Sequence, residues 1–310
     1  MHERISTRTG FGQGLMELAC ERADVLVTSA DTYRSFALND FVRRFPDRYF
    51  EFGIAEQNML AAAGAMAGEG YAVFSVGYSP FLSMRALEQI RTFIAYPNQN
   101  VKIVAGLGGL SGDTDGVTHQ GTEDIGILRT IPNMTVLCPA DAVAARAFVG
   151  MAARLSTPVY LRLGRGATPV VYPGDQRFEL GKAIRARDDG TDFAILTVGP
   201  CVGEAMQAAD RLREMGMRGR VLDMHTIKPL DEAAVAEACD ECRNLLTVED
   251  GCLCGGFGGA VAETLADQGL SPRRFKRLGL TTFGTAGTLP ELLRHFGLDA
   301  ASQQAAVLSL

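Results

Sequence analysis

The sequence predicts an α/β protein of two domains, each a mainly parallel sheet flanked by helices. Three observations carry that expectation. Short, nearly continuous apolar runs rich in β-branched residues alternate with longer helical patterns along most of the chain. Strands of that composition are buried on both faces, as in parallel sheets covered by helices. A chain of 310 residues is long for one core and natural for two. Finally, Gly166–Gln176 mixes Gly and Pro without a helical period, which marks a break. The expected domains are 1–172 and 180–310.

Taken in order, strands are expected at Val25–Thr28, Tyr49–Phe52, Ala72–Val76, Val101–Ala105, Thr135–Cys138 and Val159–Leu163. A second series follows at Phe193–Val198, Arg220–Met224 and Leu245–Val248. Helical patterns lie between them at Gln57–Met66, Leu82–Phe93, Ala140–Ala153, Val202–Met215 and Ala260–Gly269. No repeat of solenoid period is present.

Composition narrows the function. Hydrophobic residues make up 47% and charged residues 21%, as in ordinary globular proteins. The net charge is −6, and no dense Lys/Arg run offers a nucleic-acid footprint. No stretch reaches the roughly 18 apolar residues of a spanning helix. The opening MHERISTRTG has no apolar signal core, so the cytoplasm is expected, with no membrane contact. Seven cysteines are an odd number for a disulfide framework. Cys239, Cys242, Cys252 and Cys254 cluster, but the second pair is too tight for a zinc knuckle. They are read as a helix end and a loop flanking a strand, with no metal.

In open α/β sheets, ligands bind at the carboxyl ends of strands. The unusual polar and aromatic residues of the first half fall there: Asp31 to Ser35, Gly53 to Met59, Tyr78 and Phe81, and the long loop Gly106–Gln120. Glu56 heads an otherwise small and apolar helix, expected to be buried on most sides. It is either a first-turn carboxylate favoured by the helix dipole or a carboxylate in an apolar pocket that shares a proton in catalysis. Position alone leaves these readings even. His119 sits in a glycine-rich loop with Asp113, Asp115, Thr118, Gln120, Glu123 and Asp124 close in sequence, and so long and polar a loop after a core strand is usually functional. His225 and His295 lack such company and are read as structural or solvated; His2 is terminal and uninformative. The run Gly255-Gly256-Phe257-Gly258-Gly259 lacks the third glycine of a dinucleotide fingerprint, and no Walker lysine follows. It is read as close helix–sheet packing, with an anion at that helix N-terminus as the lesser alternative.

Several segments in register resemble the transketolase family. GIAEQNM, Gly53–Met59, is similar to the segment that carries the cofactor-activating glutamate in transketolases and 1-deoxyxylulose-5-phosphate synthases. DGVTHQ, Asp115–Gln120, is similar to their Asp-Gly-x-Thr-His-Gln motif. Arg129–Met134, Pro139–Asp141, DMHTIKPLD over Asp223–Asp231, and Val248–Asp250 extend the match over nearly the whole chain.

The resemblance implies a thiamine-diphosphate pyrimidine-binding domain followed by a transketolase C-terminal domain. It implies that Glu56 bonds N1′ of the aminopyrimidine and favours the imino tautomer, that Tyr78 and Phe81 stack on that ring, and that Asp31 lies beside the cofactor. Asp115 and His119 match substrate-hydroxyl ligands, with His119 also a proton shuttle. Arg8, Ser35 and Arg165 fall where the family grips a sugar phosphate. The family's metal-holding Gly-Asp-Gly motif, with its asparagine, is missing from this chain. The expectation is therefore a split enzyme: a separate diphosphate-binding subunit brings the diphosphate site and a Mg2+ or Ca2+ ion in an α2β2 assembly, and a two-carbon ketol unit passes from a ketose to an aldose. Leu107 and Asn58 stand where family members carry histidines, which leaves the sugar open. The alternatives are a 1-deoxyxylulose-5-phosphate-synthase-like or other 2-oxoacid-decarboxylating ligase subunit, and an E1 β subunit of a 2-oxoacid dehydrogenase. DGVTHQ argues against the last.

Overall fold

A computed structural model describes residues 3–310; His2 lies outside them. The first half runs β1 (Arg4–Ser6), α1 (Thr7–Glu21), β2 (Val25–Ser29), α2 (Asn39–Arg44), β3 (Tyr49–Glu51), α3 (Glu56–Gly68) and β4 (Ala72–Tyr78). Next comes an irregular helical segment in which α4 (Leu87–Gln89) lies between π-helical turns Phe81–Arg85 and Ile90–Ala95. Then follow β5 (Val101–Gly106), α5 (Asp124–Thr130), β6 (Thr135–Leu137), α6 (Ala142–Ala153), β7 (Val159–Arg162) and β8 (Ala167–Pro169). The second half holds β9 (Ile184–Asp188), β10 (Ala194–Thr197), α7 (Cys201–Glu214), β11 (Arg220–Asp223), β12 (Thr226–Lys228), α8 (Glu232–Glu241), β13 (Asn244–Cys252), α9 (Phe257–Asp267), β14 (Arg274–Leu280), α10 (Leu289–His295) and α11 (Ala300–Leu308).

The α/β architecture is the expected one. A seven-stranded sheet has the order β12-β6-β7-β5-β4-β2-β3, and only its edge strand β12 runs antiparallel. A five-stranded sheet has the order β14-β13-β10-β11-β9, parallel except for edge strand β9. Central strands such as β4, β5, β7 and β10 are fully buried apart from the end of β4, which is why their sequences read as unbroken apolar runs.

Three departures from the sequence reading concern the junction of the two halves and the exposure of α3. The expected break contains β8, which pairs with β1 to hold the two ends of the first half together. Strand β12 belongs to the second half by sequence yet completes the first sheet against β6. Lys228 anchors that crossing by donating from Nζ to the carbonyls of Arg129 and Ile131, at 2.9 and 2.6 Å. Finally, α3 is not buried on most sides. Glu56, Met59, Leu60, Ala63, Gly64 and Ala67 face the core, whereas Gln57, Asn58, Ala65 and Gly68 are exposed. Ala63 and Ala67 pack against the core while Ala65 serves helix propensity on the open face, two roles that composition alone does not separate.

Several residues of the family-like segments are braces. Asp141 caps α6 through a 2.8 Å bond from the Ala144 N–H, and its other oxygen accepts from the N–H groups of Val171 and Tyr172 at 2.7 and 2.9 Å. His225 is fully buried, its ring centroid 5.0 Å from that of Phe148, and burial lowers it to about 4. His295 is exposed on α10. Cys239 and Cys242 lie at the end of α8, and Cys252 and Cys254 at the end of β13 and in the loop after it. No cluster of three or more His, Cys, Asp or Glu side chains able to hold a metal occurs among the described residues. No helix among them is long and apolar enough to cross a membrane.

Candidate active site

The carboxyl ends of β2, β3, β4, β5 and β7 place the candidate residues along one rim. At the end of β2, Asp31 takes a positive φ of 55°. The Glu51 carboxylate, at the end of β3, accepts from the N–H groups of Asp31 and Gly53 at 2.7 and 2.9 Å. One side chain, unnoticed in the sequence, thereby joins the Asp31 turn to the segment leading into Glu56.

Glu56 begins α3 and is only 3% exposed. A buried carboxylate needs a partner, and Arg85 supplies it: Nη1 donates to Glu56 Oε2 at 2.8 Å. The guanidinium lies 4.3 Å from the centre of the Phe81 ring. Phe81 meets His119 edge to face, with centroids 5.3 Å apart, and Tyr78 lies 6.1 Å from the same imidazole. Tyr78 and Phe81 are themselves 6.3 Å apart. His119 Nδ1 is 3.0 Å from Thr118 Oγ1, and Ser35 Oγ is 3.0 Å from the Tyr78 hydroxyl. A continuous series of contacts thus joins Glu56, Arg85, Phe81, His119, Tyr78 and Ser35.

The basic residues sit beside this series. Arg8, on the first turn of α1, donates from Nη2 to the Arg165 carbonyl at 3.0 Å, and Ser6 Oγ donates to the same oxygen at 3.0 Å. Arg165 is ion-paired with Asp115 and reaches the Gly112 carbonyl at 3.4 Å. Hydrogen bonding to Arg165 holds the Asp115 carboxyl below its usual range. Burial lowers Arg8, partly offset by Tyr78 and by Asp113 and Asp115. Asp113 behaves oppositely. Burial pushes its carboxyl up to about 6, although Arg165 and Arg8 act against that shift. Asp115 and Arg165, both expected to contact substrate, are therefore paired with each other.

Behind the rim lies a buried ionic network absent from the sequence reading. Asp124 accepts from Ser79 Oγ and from the Tyr160 hydroxyl, both at 2.8 Å, and from Arg162 Nε at 3.0 Å. Arg162 Nη1 continues to Asp250 of the second half at 2.6 Å. Ser79 directly follows Tyr78, so the network supports the aromatic part of the rim. The glycine run has a different outcome. The N-terminus of α9 receives an internal anion: Glu249 accepts from the N–H groups of Phe257 and Gly258 at 2.9 and 2.8 Å. A Cβ at Gly256 would lie 2.3 Å from the same carboxylate, so this cradle is filled from within.

Residues 3–170 match the family profile "Transketolase, pyrimidine binding domain", and residues 181–302 match "Transketolase, C-terminal domain". The chain belongs to the transketolase family. A putative transketolase C-terminal section from Methanocaldococcus jannaschii is 40% identical over 95% of this chain and 93% of its own length. A subunit of an apulose-4-phosphate transketolase from Phocaeicola vulgatus is 38% identical over 95% of this chain and 94% of its own length. Among solved structures, a split-gene transketolase described as an inactive β4 tetramer superposes with a TM-score of 0.89 at 36% identity, covering 99% of this chain and 98% of that one. The protein is a transketolase-type transferase subunit that carries the pyrimidine-binding and C-terminal domains of the family.

Proposed function

We propose that this chain is the pyrimidine-binding subunit of a heteromeric, thiamine-diphosphate-dependent transketolase that moves a two-carbon ketol unit from a ketose or ketose phosphate to an aldose. The observation that carries this reading is the buried Glu56 carboxylate at the head of α3, joined through Arg85 and Phe81 to the His119 loop. The name of the Phocaeicola relative, an apulose-4-phosphate transketolase subunit, supports a sugar-phosphate donor.

The residues fit the cofactor's aminopyrimidine. Glu56 is the carboxylate for its ring nitrogen, Tyr78 and Phe81 are half-buried aromatics for its faces, and Asp31 lies on the same rim. When bound, thiamine diphosphate supplies the carbon nucleophile that takes up the ketol unit. Glu56 holds the shared proton at the pyrimidine nitrogen in a desolvated, charge-assisted bond. With Nδ1 engaged by Thr118, His119 has Nε2 for exchanging a proton with the sugar hydroxyl. Asp115 accepts from a second hydroxyl, and Arg8, Ser35 and Arg165 bind the distal end, where guanidinium groups suit a phosphate.

The chain divides near 173–179 into a pyrimidine-binding unit, 1–172, and a C-terminal unit, 180–310. A separate partner subunit supplies the diphosphate site and its Mg2+ or Ca2+ in an α2β2 assembly in the cytoplasm. The absence of Gly-Asp-Gly from the sequence and the inactivity of the related β4 tetramer support that partnership.

The test is co-expression with a partner chain carrying Gly-Asp-Gly, then assay against panels of ketoses and aldoses. Ketol transfer is expected, and Glu56→Ala should abolish it while the subunits still co-purify. Consumption of pyruvate with release of carbon dioxide would overturn the transfer reaction. Near-normal turnover of Glu56→Ala would remove the proposed role of that carboxylate.

A further inference from the structure

We propose that Arg85 is the positioning residue of this site: stacked on Phe81, it holds one oxygen of Glu56 so that the other faces the cofactor's pyrimidine nitrogen. The inference rests on the role of Glu56 proposed above. Arg85 does not stand out in the sequence, because it is one of many arginines and follows Phe81 in a segment that reads as an ordinary helix.

Three observations converge on it. The first is the mode of contact. A guanidinium facing a carboxylate commonly forms two parallel bonds that occupy both oxygens. Here only Nη1 reaches Glu56, and only at Oε2, 2.8 Å away. No other hydrogen bond to the Glu56 side chain forms among the described residues. A single-point grip leaves Oε1 available as an acceptor.

The second observation is the shelf. The Arg85 guanidinium carbon stands 4.3 Å from the Phe81 ring centre, within range for attraction to a ring face. Phe81 is held in turn by the edge-to-face contact with His119. The orientation of the Glu56 carboxylate is thereby tied to the two rings proposed to handle cofactor and substrate.

The third is local backbone. Phe81 and Arg85 bound one π-helical turn, Phe81–Arg85, closed by the Ala86 N–H donating to the Phe81 carbonyl at 3.2 Å, and this i→i+5 spacing sets where Arg85 falls relative to Phe81. The pair is also lopsided in exposure: Glu56 is 3% exposed, while the Arg85 side chain keeps 45% of its surface. A purely structural ion pair gains little from a partner so open to water. A positioning group beside a site open to a cofactor is expected to have that exposure.

The experiment uses the complex assembled with its partner and compares wild type, Arg85→Met, Arg85→Lys and Glu56→Ala. In Arg85→Met, kcat should fall about 10- to 100-fold, the range expected when a reacting group is misplaced. KM for the sugars should stay near the wild-type value, and thermal midpoint and subunit stoichiometry should be unchanged. Near-ultraviolet circular dichroism of the bound cofactor should weaken at full occupancy, a readout independent of turnover. Arg85→Lys should restore part of both signals, because it returns a cation without the planar stack.

Wild-type kcat and dichroism in Arg85→Met would overturn the proposal, as would tighter cofactor binding with faster turnover, which would make Arg85 a competitor for the site. Loss of activity that tracks loss of assembly or of thermal midpoint would make it structural. The Glu56→Ala arm separates the two levels of inference. If that variant is inactive and Arg85→Met is normal, only the positioning role fails; if Glu56→Ala is active, the parent reading fails.

Discussion

Asp113 stands at φ 49° and ψ −126°, in left-handed territory that favours glycine and is uncommon for a residue with a Cβ. Its Oδ1 is buried without a hydrogen-bond partner. Such strain is retained where the surroundings hold it, often at functional sites. Burial raises the carboxyl to about 6, so its favourable contribution is complete below the usual value near 3.8 and is lost as pH rises through about 6. Asp113→Asn should therefore leave stability unchanged near pH 4 and raise it at pH 7.5. The gain should be on the order of 1 kcal/mol once partial exposure is allowed for. Denaturant midpoints at the two pH values check this, and an equal shift at both would show that charge is not the cause. Glu56, Asp115 and His119 stand out in the sequence because they interrupt apolar or glycine-rich surroundings at strand ends. Arg85, Glu51 and Asp113 do not announce their roles. Those roles depend on a helix turn, a neighbouring strand and a backbone angle, which the order of residues does not display.

At the scale of elements, α9 and β13 show how a glycine run can be filled by its own fold. Glu249 takes the anion position at the α9 N-terminus, and burial raises its carboxyl to about 7 against the two N–H groups it accepts from. Glu249→Gln keeps one acceptor but turns an amide N–H2 toward the other N–H. Leaving that buried donor unsatisfied should cost about 1–3 kcal/mol, read as a lower denaturant midpoint near pH 4, where the raised carboxyl carries no charge whose burial the amide would relieve. An unchanged midpoint there would mean that solvent, not Glu249, satisfies the helix end. The central strands are legible because burial on both faces leaves an unbroken apolar run. Helix α1 is not, because Gly10, Gly12 and Gly14 lower helix propensity. The structure explains those glycines through packing. A Cβ at Gly10 would lie 2.1 Å from the Ala142 carbonyl oxygen, and one at Gly14 would lie 2.6 Å from that of Arg146, both on α6. Strand β14, Arg274–Leu280, escapes notice for another reason: it is an edge strand, and three of its seven residues are basic.

For the whole molecule, the decisive feature is that the two sheets share a buried knot of charge and a borrowed strand. Arg162 ends β7 of the first sheet, is almost fully buried, and links Asp124 to Asp250 on β13 of the second sheet. Burial alone would lower its guanidinium, but the two carboxylates more than reverse that and hold it well above its ordinary value. Strand β12 meanwhile pairs with β6 across the same boundary. Two units connected in this way should unfold together, in a single thermal transition. Removing the shared cation leaves two buried carboxylates without their partner, which typically costs about 3–5 kcal/mol. Arg162→Met should therefore lower the thermal midpoint by on the order of 10 °C. Adding Asp250→Asn to it should recover part of that loss, because one stranded charge is then gone. A midpoint within about 2 °C of wild type would show that water or a local rearrangement already satisfies the carboxylates. The same variant bears on function, because Asp124 is also the acceptor for Ser79, the residue next to Tyr78. If the knot supports the aromatic rim, Arg162→Met assayed in the assembled enzyme well below its midpoint should raise the KM for cofactor while Glu56 and Arg85 stay intact. An unchanged KM there would confine the knot to joining the two sheets.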